Sequence, residues 1–404
     1  MKIPFYQPDI SDLEIEEVVA ALRSGWITTG PRVKQLERDL GERYGAPYRC
    51  VCLNSQTSAA ELALRVLGIG PGDEVIVPAY TYTASASVAY HVGAKLVLID
   101  SQRDSFEMDY DAMESAITER TKAIIPVDLG GVPCDYYRIF QAVENKRGLF
   151  KPNCKYQEAL GRVAVCEDAA HALGATYYGK PLGSVADFAS FSFHAVKNFT
   201  TGEGGAVMWR TMPGIDDTEI YRYFQLLSLH GQSKDAFAKK LLGSWEYDVV
   251  GLWYKCNMTD ITAGIGLAQF QRYPGMLERR RELIAQYDAA LAPLGVEVLV
   301  HYRVDRQSSG HLYITRVPGV DLAKRQEIIV KMAERDIACN VHYEPLPMHT
   351  AYKNLGFDIV NFPNAYARYI NEITLPLYTK LTDEEVNYLL ESFIDVLKTS
   401  DVCG

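Results

Sequence analysis

Across 404 residues the sequence contains no CxxC pair, no uncharged apolar run of membrane-spanning length, no glycine-rich nucleotide loop and no excess of positive charge. Each absence removes a class of function. Eight cysteines, Cys50, Cys52, Cys134, Cys154, Cys166, Cys256, Cys339 and Cys403, lie scattered without the Cys/His spacing of a zinc site. Reduced thiols in a cytoplasmic protein with no structural metal are the expectation. A membrane-spanning helix needs roughly 18 consecutive apolar residues, and none is present. Asp9, Asp12 and Glu14 fall in MKIPFYQPDISDLE, where a secretory signal would be apolar. Neither GxGxxG nor GxxxxGK(S/T) occurs, so the usual dinucleotide and nucleoside-triphosphate loops are unsupported. With 41 basic against 51 acidic residues the net charge is −10, the wrong sign for a nucleic-acid or anionic-membrane binder.

What is present is an ordinary globular composition, 48% hydrophobic and 23% charged, with chain enough for two or three domains. Leu13, Ile15, Val18, Val19 and Leu22 recur at helical spacing behind Ser11, a natural N-cap, and a second helix is expected from Val33 to Tyr44. Apolar β-rich runs then alternate with helical ones: CVCL (50–53), EVIVP (74–78), KLVLID (95–100) and KAIIPV (122–127), each followed by a helix. RVAVCE (162–167), ADFASFSFH (186–194) and GAVMW (205–209) add strands with little helix between them. A long helix is expected over Thr259–Tyr287, then strands in VEVLVHY and HLYITRV and helices over Leu322–Arg335 and Asp383–Leu397. These patterns predict an α/β large domain over residues 1–265, with a mostly parallel mixed sheet flanked by helices. A smaller α+β domain follows over 266–404, with the N-terminal segment able to pack on it.

Chemistry-bearing residues concentrate in CEDAAHALGATYYGKPLGSVADFASFSFHAVKNFTTGEGG, residues 166–205. Asp168 ends an apolar strand, where open α/β sheets bind ligands, although a surface acid could stand there too. His171, three residues on, read alone is a core histidine. Lys197 follows an aromatic strand; desolvated there it becomes a nucleophilic amine, and exposed it is a snorkelling lysine. Gly202, Gly204 and Gly205 around Glu203 permit close backbone approach. Asn54-Ser55-Gln56-Thr57-Ser58 joins a strand to a helix, a place for a phosphate or for simple capping. Tyr82 follows the strand EVIVP at the same rim and can offer an aromatic face or pack in the core. A strand-end acid, an activatable lysine, an anion-binding helix start and an aromatic lid together suit one cofactor, pyridoxal 5′-phosphate (PLP).

With GWITTGPRVKQLERDLGERYG, LGIGPGDEVIVPAYTYTASASV, TKAIIPVDLGGVPCD, EDAAHALGATYYGKPLG, FSFHAVKNFTTGEGGAV, YKCNMTDITAGIGLAQ and VHYEPLP, the chain resembles the DegT-type PLP-dependent nucleotide-sugar aminotransferases over nearly its whole length. The resemblance implies a fold type I aminotransferase. It makes Lys197 the Schiff-base lysine and Asp168 the partner of the ring nitrogen, with His171 beside the 3′-oxygen and Tyr82 stacked on the ring. Thr57, Ser58 and Ser192 would hold the phosphate, joined by Asn257 from a neighbouring subunit, which implies a homodimer with shared sites; Lys255 would enter the same site. L-Glutamate is the implied amino donor and a nucleotide-linked keto sugar the acceptor, in surface glycan assembly. Two departures stand out: Gln56 replaces a small residue, and DYYRIFQAVENKRGLFKPNCKYQEALGR (135–162) is longer than usual. A branch with histidine in place of the lysine dehydrates at C3; Lys197 points instead to amino transfer. LLSLHGQSKDAF and WYKCNMTD look most like the branch that aminates C4 of 4-keto sugars. Amination at C3 or of a keto-cyclitol, and a non-catalytic PLP-binding regulator, are the alternatives.

Overall fold

A computed structural model of the chain describes residues 1–233 and 246–400. The end of the LLSLHGQSKDAF segment and Cys403 lie outside the described residues. In chain order, α1 (Asp12–Ser24) and α2 (Pro31–Arg43) precede β1 (Cys50–Leu53), α3 (Gln56–Val66), β2 (Glu74–Pro78), α4 (Thr83–His91) and β3 (Lys95–Ile99). Then come α5 (Tyr110–Ala116), β4 (Thr121–Ile124), α6 (Tyr136–Asn145), α7 (Lys155–Leu160) and β5 (Ala164–Asp168). The hairpin β6 (Thr176–Tyr177) and β7 (Lys180–Pro181) leads to β8 (Phe188–Ser192), β9 (Gly205–Trp209) and α8 (Asp217–Ser228). After α9 (Asp260–Leu291) follow β10 (Glu297–Val298), β11 (Arg306–Gln307), β12 (Tyr313–Arg316), α10 (Leu322–Ala333), α11 (Thr350–Asn354), α12 (Pro363–Tyr369), β13 (Glu372–Leu375) and α13 (Asp383–Thr399).

Seven strands form one sheet in the order β1-β9-β8-β5-β4-β2-β3. Only β9 runs against its neighbours, pairing antiparallel with both β1 and β8, while the others are parallel. The sheet is therefore mixed and mostly parallel. β1, β2, β4, β5 and β9 are buried at every position, as strands covered on both faces must be. One apolar cluster fills the α3/α4 side and includes Leu62, Val77, Phe188 and Trp209; another fills the opposite side with Leu36, Phe191, Phe193 and Tyr273. A third gathers Tyr287, Tyr313, Ile328, Leu375 and Phe393 around the sheet β10-β12-β13. α9 joins them: Ala263, Tyr273 and Met276 lie in the second cluster, Leu283 to Leu291 in the third. Ile3 bridges to Ile337 in that third layer, so the extreme N-terminus lies against the last third of the chain.

The long apolar runs shorten into strands where pairing stops. Of KAIIPV only residues 122–124 are strand, in β4, and of VEVLVHY only Glu297–Val298. α1 forms behind a capping box in which Ser11 accepts the Leu13 N–H and exchanges bonds with Glu14. Its apolar stripe faces outward: Leu13, Ile15 and Leu22 are 44%, 56% and 53% exposed, while Glu14 turns inward to Gln269 and Arg272. The 135–162 segment becomes α6 and α7. It docks through Gln157 and Cys154 on the Leu67 carbonyl and through Asn153 on Asp73.

α2 starts at Gly30, which has no side chain to cap it. Asp260, fully buried at the start of α9, accepts the N–H groups of Arg32 and Val33 instead. Asp260→Ala strands both donors and should cost about 1–2 kcal/mol, read as a lowered Tm; an unchanged Tm would remove this cap from the account.

Candidate active site

The carboxyl ends of β5 and β8 and the loops that follow them meet the start of α3 at one rim of the sheet. Parallel strands here deliver their chain ends to a common edge, the place where open α/β sheets bind ligands. Asp168, the last residue of β5, is buried; its Oδ2 accepts the Ser85 hydroxyl at 2.6 Å and its Oδ1 the Ala170 N–H at 3.1 Å. Burial pushes its pKa up, while Ser85, the Ala170 N–H, Lys197 and Gln56 pull it back. Those donors favour the charged form.

Lys197 sits in the loop between β8 and β9. Its flanks are fixed: Asn198 donates to the Ser309 carbonyl at 2.8 Å, Phe199 packs edge-on against Phe193 and Tyr273, and the Tyr6 hydroxyl donates to the Lys197 carbonyl at 3.1 Å. Enclosure by protein lowers the amine to about 8, opposed by the Asp168 charge. The lysine thus faces a carboxylate and is free enough of its proton to react.

A cavity of about 350 Å³ opens beside it, lined by Ser55, Thr57, Tyr82, Ser192, Lys197 and Tyr343 among others. A second, of about 180 Å³, lies beyond Lys197 toward Tyr6, His311 and His342. α3 points its N-terminus into the first, with Ser55 capping through the Ser58 N–H at 3.1 Å. Ser58 turns its hydroxyl to Asn54 at 2.8 Å and does not line the cavity. The helix start lies flush on β9: a Cβ at Gly205 would stand 2.4 Å from the Gln56 nitrogen. That contact is why the glycine turn ends as it does.

His171 is buried between two layers. Its Nδ1 accepts the Gly130 N–H at 3.2 Å, so Nε2 carries the proton and reaches the Tyr343 hydroxyl at 3.2 Å. Burial, with Lys197 and His342 nearby, holds its pKa well below the ordinary range, so the ring stays neutral. Tyr82 stands exposed at the rim, 5.7 Å from the Tyr343 ring. Asn257 and Lys255 lie outside the cavity lining: Lys255 donates to Asn257, which donates to Thr29 at 2.6 Å, and the segment bridges to Leu53.

Lys197, Thr57, Ser192 and Tyr82 thus share the cavity lining, with Asp168 and His171 behind it in reach of Lys197 and Tyr343, while Ser58, Asn257 and Lys255 stand at the margin. Gln56, singled out as a departure, lies buried and donates to Ser190 at 3.0 Å, on the side of the carboxylate. Ser85, Tyr343 and the Ser309–His311 turn were not read from the sequence as parts of the site. Ser85 had a signal: it sits on the first turn of the helix after a strand end, four residues past Thr81, whose hydroxyl it meets at 2.9 Å.

A reactive lysine and a buried carboxylate at the rim of a mixed seven-stranded sheet, with hydroxyls at a helix start, are how fold type I aminotransferases are arranged. Residues 8–394 match the DegT/DnrJ/EryC1/StrS aminotransferase family, and the chain belongs to it. It is 37% identical over 403 residues to the spore coat polysaccharide biosynthesis protein SpsC of Bacillus subtilis, covering 99% of this chain and 98% of that one. Spr1654 of Streptococcus pneumoniae, assigned as a sugar aminotransferase and solved in its PLP form, is 57% identical with a TM-score of 0.96, over 99% and 100% of the two chains. Helicobacter pylori PseC, an aminotransferase of pseudoaminic acid biosynthesis, is 26% identical with a TM-score of 0.84, over 99% and 100%.

The residues fit PLP. The cavity joins a nucleophilic amine to a helix N-terminus with hydroxyls for a phosphate, and Asp168 has its donors in place to remain anionic. Because only the unprotonated amine attacks an aldehyde, the apoprotein should take up PLP about tenfold faster per pH unit below about 8 and level off above it. Visible absorbance followed by stopped flow measures this; a rate still climbing about tenfold per unit beyond about pH 9 would contradict the lowered pKa.

Proposed function

We propose that the protein transfers an amino group from L-glutamate to the C4 keto group of a nucleotide-linked sugar, in the assembly of a surface glycan. It is a PLP-dependent sugar aminotransferase. The observation that carries this reading is the desolvated Lys197 held opposite the buried, hydrogen-bonded Asp168. PLP supplies an aldehyde carbon and a ring that takes up electrons when its nitrogen is protonated.

Asp168 keeps the proton on that ring nitrogen, and Ser85 and the Ala170 N–H hold the carboxylate in place. Lys197 would hold the aldehyde carbon of PLP and, when freed by the donor, would act as the base that moves the donor's Cα proton. Its pKa of about 8 suits both taking and giving that proton near neutrality. His171, neutral and anchored by Gly130, would stand beside the 3′-oxygen of PLP, and Tyr82, exposed at the rim, would cover its ring. Thr57 and Ser192 hold the phosphate at the α3 N-terminus, with Ser58 next to them.

Asn257 and Lys255 reach the site of the neighbouring subunit in a homodimer. The outward apolar stripe of α1 and the margin position of Asn257 support this arrangement. Glycan assembly is supported by the likeness to SpsC and PseC, whose names place them in polysaccharide and pseudoaminic acid biosynthesis. A cytoplasmic location accords with the reduced cysteines and with the absence, among the described residues, of a helix able to cross a membrane.

The purified enzyme should show the visible absorbance of lysine-bound PLP, and Lys197→Ala should lose it. L-Glutamate should convert the bound cofactor to its pyridoxamine form, and a 4-keto nucleotide sugar should restore it with a C4 amine identified by NMR. An unchanged spectrum in the variant sinks the lysine assignment. Conversion by glutamate with turnover of 3-keto sugars only would move the amine to C3.

A further inference from the structure

β5 ends in two acids that point to opposite faces of the sheet. Asp168 faces Ser85, Gln56 and Lys197. Glu167 faces the layer beneath, where it is 1% exposed beside Asp128, which is 0% exposed. Neither Oε1 nor Oε2 of Glu167 receives a well-formed hydrogen bond from an N–H or O–H of the described residues, and the Asp128 carboxyl and the Tyr136 hydroxyl both lie beside it. Asp128 is well supplied: the Cys134 N–H donates to it at 2.8 Å and the Tyr136 hydroxyl at 3.0 Å. Tyr136 has one hydroxyl proton and spends it there.

The titratable groups that face the pair are Tyr136, Cys134 and Asp168, and none is a cation. Arg306, which acts on Cys134, is already tied to Glu107 at 2.8 Å and Asp305 at 3.0 Å. Two ionised carboxylates cannot share a dry space without a counter-ion, so one proton must stay. The member with donors keeps the charge, and the member with none takes the proton. Burial raises both groups, and repulsion from Asp128 holds Glu167 higher still.

The pair is braced to the catalytic strand end. The Asp128 N–H donates to the Asp168 carbonyl at 3.1 Å and the Asp168 N–H to the Pro126 carbonyl at 2.9 Å. We propose that Glu167 is a neutral acid that donates its proton to Asp128, and that this bond is a positioning element. It locks the end of β5 so that Asp168 meets the ring nitrogen, and it spares Asp168 a second negative charge one residue away. The positioning half rests on the aminotransferase reading above; the shared proton does not.

Infrared difference spectra of the apoprotein, wild type minus Glu167→Gln at neutral pH, test the proton directly. A protonated-carboxyl stretch present in the wild type and absent from the variant is expected. No such band, or one that survives in Glu167→Gln, overturns the proposal, whatever the enzyme's substrate. In the holoenzyme, Glu167→Gln keeps a neutral donor toward Asp128 and should hold kcat/KM within about threefold, with the pH midpoint of the cofactor absorbance unmoved. Glu167→Met, similar in size but without a donor, should move that midpoint and weaken PLP binding while circular dichroism shows a folded protein. Gln as damaging as Met, or Met as silent as Gln, contradicts the positioning role and leaves the infrared result to stand by itself.

Discussion

The structure depends on one constraint: an amine and a carboxylate of opposite charge must share a space from which water is mostly excluded. Enclosure alone strips Lys197 of its charge and protonates Asp168, and each group restores part of the other's. The outcome is a lysine poised near neutrality and an acid whose pKa burial raises while specific donors and the lysine pull it back. Neither group has this character in water. The sheet creates the space by bringing the ends of β5 and β8 to one rim, and the reversal of β9 returns the lysine loop across it.

Everything around the pair keeps it from relaxing. Ser85 and the Ala170 N–H fix the carboxylate, Gln56 and Ser190 fill the space next to it, and Gly130 holds His171 in a single tautomer. Asn198 and the Phe193–Phe199–Tyr273 aromatic contacts clamp the residues beside the lysine. The last third of the chain closes the far side through Tyr343 and the Ser309–His311 turn, and Tyr6 comes from the N-terminus. The site is therefore a joint product of segments hundreds of residues apart.

Much of this was legible in the sequence because local chemistry dictates it. Strand-then-helix alternation announced the parallel sheet, and Asp168 stood at a strand end and Lys197 in the loop after one, where their chemistry is usable. The neighbours that tune them were harder to read. Ser85 and Gln56 act through hydrogen bonds to residues 83 and 134 positions away, and no spacing rule reports such a contact. The 135–162 segment had no meaning as a string; folded, it supplies Tyr136 to Asp128. Strand lengths were overread where apolar runs outlast their pairing partners, as in VEVLVHY. The stripe on α1 was correct as a helix signal, but periodicity does not say which side faces the core: the helix buries Glu14 and Ala21 and exposes Leu13 and Ile15.

The central claim is that enclosure and Asp168 together set the basicity of Lys197. NMR titration of the lysine side chains in the apoprotein, with Lys197 assigned by substitution, measures this directly. The account predicts that Lys197 titrates near 8 in the wild type and lower still in Asp168→Asn, because the charge that raises it is gone. A Lys197 that titrates with the surface lysines, or one indifferent to Asp168→Asn, would contradict it.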